Sequence, residues 1–526
     1  MPAETPPAIE LRGLTKRFGS VLANAGVNLR VEPGTIHGVI GENGAGKSTA
    51  MKMLYGIFPP DAGEIFVHGK KCVWTSPADA IGAGIGMVHQ HFMLAGPHSA
   101  LDNILLGAEP VRLGVIERRK ARAHLEALAR RYGLPVDLRQ PIEQLPVGVQ
   151  QRVEILKLLY RDATILILDE PTAVLTPQET NVLFQHLKKL RDEGKTILLI
   201  THKLKEVMSI TDRVTVLRAG QVTGEVSTVQ TNPQELANLM VGRKVVLSID
   251  VPPSQPRAEE AIEVINVCLE GHAPSWPNPA RTRQSASLQN GGRHKLTDIS
   301  FFVRRGEIVG VAGVEGNGQS ELLQAMLHPR DSQCRTSGAV RILGEDVTAW
   351  PPSKIRELGV AVIPEDRQRE GLLLERPVSE NFLLGLQRSP AFSHAGFLRT
   401  ASLEQTAAQA VAEYDVRPRE LTIRAGQLSG GNQQKLIVAR EFQRKPGLLI
   451  AAQPTRGVDV GAIEFIHQRI VRARDGGAGV LLISFELDDI LTLSDRILVM
   501  YEGRIVAEFF RGRVTERELG LKMAGS

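Results

Sequence analysis

Gly41-Glu-Asn-Gly-Ala-Gly-Lys-Ser-Thr49 decides how the rest of the chain is read. Before it, Ile36-His-Gly-Val-Ile40 is apolar and reads as a strand; after it, Ser48 to Tyr55 is amphipathic and reads as a helix. A glycine loop between strand and helix, ending in Lys-Ser/Thr, is the context a phosphate-binding loop requires. Tight turns at Gly41, Gly44 and Gly46, with Glu42, Asn43 and Ala45 between them, aim successive N–H groups and the helix N-terminus at an anion. Lys47 then reaches the β- and γ-phosphates of a nucleotide, and Ser48, beside Thr49, offers Mg²⁺ the oxygen a hard cation prefers.

Working outward, Ile9 to Phe18 alternates apolar and polar residues and reads as an edge strand. Phe18 at its end either stacks on a nucleotide base or joins the core. Downstream, Gly84-Ile-Gly-Met-Val-His-Gln90 is a short strand whose terminal Gln90 is placed to meet Mg²⁺ or the attacking water. His89, His91 and His98 flank it, but neither carboxylate nor cysteine joins them at metal-ligand spacing. Helical patterns follow over Arg118–Gly133 and Val149–Arg161, a helical insertion in an α/β core. Thr164-Ile-Leu-Ile-Leu-Asp-Glu-Pro-Thr172 is an unbroken apolar run, as in a parallel strand buried on both faces. It ends in two carboxylates, where sites of parallel sheets lie. Period-two alternation separates the pair, giving Asp169 to the Mg²⁺ shell and Glu170 to polarising water. Thr196-Ile-Leu-Leu-Ile-Thr-His202 is a further buried strand, and His202 at its end suits sensing of a γ-phosphate.

The second half repeats this order. Gly306–Gly313 echoes Gly34–Gly41, Leu428–Lys435 echoes Leu145–Arg152, Leu448–Thr455 echoes Ile165–Thr172, and Leu481–Phe485 echoes Leu198–His202. A duplication follows, read as domains 1–248 and 260–526 around a Pro-rich linker, 249–259. The chemistry does not repeat. Gln319 stands for Lys47, Ala452 for Asp169, Gln453 for Glu170, Phe485 for His202 and Glu365 for Gln90. The second glycine loop keeps its backbone amides and loses its catalysts. Residues 269–293, rich in Pro, Ser, Arg and Gly, read as an inserted loop.

Composition bounds the partners. The chain has 526 residues, 42% of them hydrophobic, and a formal net charge of +5. A basic balance admits nucleic acid or an anionic surface, but an ordinary Arg-rich surface accounts for it. Three cysteines without ligand spacing fit a reducing compartment. The N-terminus carries no basic-then-apolar signal, and no apolar run spans a bilayer.

These motifs, in order and twice over, resemble the ATPase subunit of ATP-binding cassette (ABC) transporters across nearly the whole chain. The resemblance is greatest to fused double-cassette subunits of sugar-type importers. Met87-Val-His-Gln-His-Phe-Met93, Gly313-Val-Glu-Gly-Asn-Gly-Gln-Ser-Glu-Leu322, Ile363-Pro-Glu-Asp-Arg367 and Ala451-Ala-Gln-Pro-Thr-Arg-Gly457 resemble the nucleoside branch; simple sugars such as ribose or galactose are the alternative. The resemblance implies two P-loop ATPase domains, each an α/β core with an antiparallel β edge and a helical subdomain. It implies ATP and Mg²⁺, transmembrane permease subunits, a separate solute-binding protein, a place on the cytoplasmic face of the cell membrane, and no nucleic acid. It also implies head-to-tail cassettes. One site would then pair the first loop with the signature residues Ser429, Gly431 and Asn432 and with Asp459. The other would pair Gln319 with Leu145-Pro-Val-Gly-Val149, which lacks the usual signature serine at Pro146. Thr176 likewise replaces an expected aspartate. Losses so concentrated imply one hydrolytic and one degenerate site. A soluble double-cassette ATPase working on ribosomes or DNA is the remaining alternative, disfavoured by the short linker and the absence of zinc cysteines.

Overall fold

The computed structural model describes residues 6–19, 21–90, 92–172, 175, 177–244, 251–270, 295–329, 335–523 and 525. His91, Thr176 and most of the expected 269–293 loop lie outside them. The chain forms two compact units, Met1–Val245 and Val246–Ser526.

In the first unit a six-stranded sheet runs in the order Gln221–Ser227, Arg213–Arg218, Ile36–Gly41, Thr196–Thr201, Ile165–Asp169, Ile85–Val88. Its pairings are parallel except for the hairpin made by the first two strands. The apolar runs have a simple cause. Along Ile165–Asp169, Ile165 and Ile167 enter one core with Val39, Met51 and Ile200, while Leu166 and Leu168 enter another with Leu101, Leu156 and Leu199. A strand covered on both faces has no side left for polar residues. The second core extends into a helical subdomain built on Ala100–Leu105, Arg118–Tyr132 and Val147–Tyr160.

A four-stranded antiparallel sheet covers the other face, in the order Val21–Val31, Ile9–Phe18, Ala62–Val67, Lys70–Cys72. Ile9–Phe18 is therefore an interior strand, not the edge strand its alternation suggests. Alternation reports that one face is packed and the other wet; it does not count neighbours. The helix expected from Val149 begins at Val147, with Pro146 as its extended N-cap residue; a proline there disfavours the helical conformation for the residue before it.

The second unit repeats the design with strands Val360–Ile363, Leu448–Ala452, Gly479–Ser484, Ile308–Ala312, Arg496–Tyr501 and Arg504–Phe510. Val251 onward is not a free linker. Arg511 donates to the Val251 carbonyl (3.2 Å), the buried Arg474 to that of Pro252 (3.0 Å), and Arg257 N to that of Arg305 (2.8 Å). The guanidinium groups of the buried Arg474 and the partly buried Arg511 need acceptors, and the carbonyls of this segment supply them.

Candidate functional site

Parallel register brings the first unit's chemistry together. Thr201 pairs with Ile40, Ile200 with Asp169 and Leu168 with Val88, so three motif-bearing strands end side by side with Gln90 just beyond the fourth. The glycine loop emerges there and turns into the helix Lys47–Leu54. Gly46 has φ 94°, and a Cβ at that position would lie 2.4 Å from the Ala23 carbonyl oxygen, so only glycine fits. Lys47 folds back over the loop and donates to the carbonyls of Gly41 (2.8 Å) and Glu42 (2.9 Å). Burial pushes its amine below the usual lysine range.

The two carboxylates have different surroundings. Asp169 accepts from Ser48 Oγ at 3.1 Å, and burial pushes its carboxyl up. Glu170 accepts from Gln90 Nε2 at 2.8 Å and lies 2.9 Å from His202 Nδ1. Burial pushes Glu170 up too, but the hydrogen bond and charge of His202, with Lys47 and Lys203, outweigh it and hold the carboxyl below its usual range. Strand alternation is not what parts the pair. The strand ends at Asp169, and Glu170 takes φ 49°, a left-handed turn that a glutamate rarely adopts. Its N–H donates to the Ile200 carbonyl at 2.9 Å, fixing the turn to the neighbouring strand.

Glu206 was not among the residues picked out from the sequence. It is buried and accepts from Thr172 Oγ1 (2.7 Å) and Thr201 Oγ1 (3.3 Å), fastening together the loops that carry Glu170 and His202. Asp489 does the same in the second unit for Thr455 and Ser484. The signal was available: the two acids sit 283 residues apart, the offset between Asp169 and Ala452.

Phe18 is 44% exposed, which removes the core alternative; its ring stands edge-on to Phe58, 5.4 Å between centroids. The signature residues gather within the second unit. Ser429 caps the helix Gly430–Phe442 and its Oγ accepts from Asn432 Nδ2 at 2.9 Å. Asp459 caps Val460–Asp475 through Ala462 N (2.9 Å), and its carboxylate would lie 3.0 Å from a Cβ on Gly431.

The second glycine loop differs in its contacts as well as its letters. Gln319 and Gln453 are buried, Ser320 Oγ donates to Glu365 Oε2 at 2.6 Å, and Gln453 keeps the left-handed turn, φ 48°. The first unit thus holds a carboxylate aligned by two side chains beside its glycine loop; the second has the amide of Gln453 in that place.

The family model described as ABC transporter matches residues 25–173 and again 296–456. The chain is 47% identical over 519 residues to the guanosine import ATP-binding protein NupO of Bacillus subtilis, covering 98% of this chain and 97% of that one. It is 45% identical over 517 residues to the nucleoside import ATP-binding protein NupA of Lactococcus lactis, covering 98% of each. It is 43% identical over 554 residues to the glucose import ATP-binding protein TsgD13 of Haloferax volcanii, covering 99% and 96%.

Proposed function

The chain belongs to the ABC transporter family as a tandem-cassette ATPase coupled to transport, and from that premise we propose that it energises nucleoside import with one hydrolytic and one degenerate ATP site. The observation that carries this is Glu170, held ionised between Gln90 and His202 in the first unit, against Gln453 beside Phe485 in the second. The nucleoside reading draws on two relatives named for guanosine and nucleoside import, and the sugar alternative on one named for glucose.

In this reading Gly41–Thr49 cradles the phosphates, with Lys47 turning from loop carbonyls to phosphate oxygens, and Phe18 faces the base. Ser48 and Asp169, two oxygen donors already 3.1 Å apart, fit a Mg²⁺ shell, and Gln90 adds a carbonyl oxygen because its amide nitrogen is committed to Glu170. When bound, the cation neutralises charge on the phosphates. Glu170 accepts the proton of the water that attacks the γ-phosphorus, and His202 holds Glu170 in place. Ser429, Gly431, Asn432 and Asp459 close this site from the other cassette, and the closure moves permease subunits.

Those subunits meet the helical subdomains. A hairpin there, Val111–Arg112 with Val115–Ile116, carries Leu113 at 97% exposure and exposes Val111, Val115 and Ile116. The second unit has the same device at Ser393–His394 and Phe397–Leu398. Among the described residues no helix is long and apolar enough to cross a membrane, so docking on permeases at the cytoplasmic face, with a separate solute-binding protein outside, is the arrangement proposed.

The test compares uptake of labelled nucleosides and labelled ribose in cells carrying the native chain or Glu170→Gln, alongside ATPase turnover of the purified proteins. Glu170→Gln is expected to lower turnover by about a thousandfold while still binding ATP, and to abolish nucleoside uptake alone. Native turnover removes the assignment of Glu170. Loss of ribose uptake alone moves the solute to the sugar class.

A further inference from the structure

In the second unit, one donor in the glycine loop and one at the end of a neighbouring strand have no acceptor among the described residues. Gln319 is 3% exposed, and its Nε2 has no hydrogen-bond partner among the described residues. It turns back along the loop; a Cβ on Gly313 would lie 2.1 Å from that nitrogen. Gln453, at the end of the Leu448–Ala452 strand, is 4% exposed. Its Oε1 accepts from Phe485 N at 3.1 Å, and its Nε2 is likewise unpartnered. In the first unit the corresponding groups are satisfied: Lys47 by two carbonyls, Glu170 by Gln90 and His202. A buried N–H without an acceptor costs folding free energy. Two of them around an intact anion cradle are explained if an acceptor-rich ligand completes the site.

A cation stands beside them. Arg456 has no counterpart in the first unit, where the sequence has Ala173. Its guanidinium lies 4.0 Å from Glu315 in the glycine loop, 4.0 Å from Glu365, and 5.9 Å from the centre of the Phe485 ring. The backbone beneath it is fixed. Arg367 Nη1 donates to the Arg456 carbonyl at 2.6 Å and Nη2 to that of Gly457 at 3.2 Å. The side chain itself is half-exposed, and ion pairs of that length and exposure hold a side chain weakly. It is free to exchange two carboxylates for phosphate, to which a guanidinium binds through a planar fork.

We propose that the second unit binds the polyphosphate chain of a nucleotide without a divalent cation, with Arg456 in the role of the missing loop lysine and the Gln319 and Gln453 amides donating to phosphate oxygens. The proposal rests on the reading of this site as degenerate and states what holds its ligand. No carboxylate corresponds to Asp169, since Ala452 occupies that place; Glu365, which stands where the first unit has Gln90, takes the Ser320 hydroxyl at 2.6 Å, a closer bond than Ser48 makes to Asp169, and keeps that partner when Arg456 turns to phosphate. Gln453 in the place of Glu170 cannot accept a proton from water, so the ligand stays whole.

The experiment uses the full chain carrying Lys47→Ala, which disables the first loop, dialysed against labelled ATP in excess EDTA. About one ATP per chain is expected, displaced by inorganic pyrophosphate, as recognition through phosphates requires. Adding Arg456→Ala should weaken binding about tenfold or more, and Arg456→Lys, which keeps the charge without the planar fork, should restore only part of it. Glu365→Gln should tighten binding about threefold, because it frees Arg456 and removes a like charge from beside the phosphates. This last variant removes no positive charge, so it decides the matter even where Arg456→Ala fails to fold. No ATP retained in EDTA, indifference to Arg456, weaker binding in Glu365→Gln, or displacement by adenosine but not pyrophosphate each overturns the proposal. The Mg²⁺-dependent turnover of Glu170→Gln, measured separately, judges the hydrolytic reading, so either can fail without the other.

Discussion

At the residue scale, backbone conformation outlasts chemistry. Glu170 and Gln453 share the left-handed turn although one is a carboxylate and the other a neutral amide, and each donates its N–H to the neighbouring strand, at Ile200 and Ile483. The strain costs on the order of 1 kcal/mol, and the fold holds it in both units whether or not catalysis needs it. His37, in the strand before the first loop, shows another consequence of burial. It is 1% exposed, its Nε2 meets Thr215 Oγ1 at 2.8 Å, and burial, aided by the Arg213 charge, pulls its ring down to about 4. The folded protein therefore keeps His37 neutral, while the unfolded chain takes up a proton below about pH 6.5. Stability from this residue is present above pH 6.5 and drains as pH falls toward 4, by roughly 2 kcal/mol at pH 5. Urea unfolding of the first unit at pH 7 and pH 5 checks this: His37→Gln should flatten that part of the difference, and an unchanged pH dependence would refute the assignment.

At the element scale, the corresponding helices Val147–Tyr160 and Gly430–Phe442 are anchored differently. The first starts at a proline that offers no side-chain cap; the second starts at Ser429, which caps it. Near its other end the second helix carries Glu441, fully buried, accepting from Arg356 Nη2 (2.8 Å), Arg440 Nε (3.0 Å) and Val362 N (3.1 Å). This carboxylate ties the signature helix to the Val360–Ile363 strand and to the helix Pro352–Glu357. Burial raises the cost of its charge, and the surrounding arginines and the Val362 amide more than offset that, leaving its carboxyl below the usual range. Glu441→Ala would strand Arg440 inside the unit without its counter-charge. It should destabilise the second unit by about 3–5 kcal/mol, read as an earlier transition of that unit in thermal unfolding with the first unit's transition in place. A loss below about 1 kcal/mol, the range of exposed ion pairs, would mean the network contributes little.

At the scale of the whole molecule, each unit is complete as a fold, with its own sheets and cores, but the two keep different motif residues. The first has Lys47 in its glycine loop and Pro146 where the second has Ser429; the second has Gln319 where the first has that lysine. If Lys47 and Ser429 serve one composite site, their effects on turnover cannot add. Lys47→Ala and Ser429→Ala should each lower ATPase turnover, and the double variant should be no slower than the slower single one, within about 0.5 kcal/mol of activation free energy. Losses that multiply would place the two residues in independent sites and overturn the head-to-tail arrangement.

The sequence by itself determined whatever is carried by contiguous residues. The glycine loop between strand and helix, the apolar runs of doubly covered strands, the duplication and the residues exchanged within it all follow from local pattern, because steric limits on the backbone and burial of both strand faces act over a few residues. Only the tertiary structure decided how residues far apart meet. Gln90 and Glu170 are 80 residues apart and touch because parallel register sets their strands' ends side by side. The left-handed turn at Glu170, the fastening by Glu206 and the interior place of Ile9–Phe18 depend on which strand lies next to which. That adjacency is fixed by the packing of the whole unit. For the same reason the sequence showed Gln319 and Gln453 in the places of Lys47 and Glu170, and only the folded chain shows their Nε2 donors buried without a partner among the described residues.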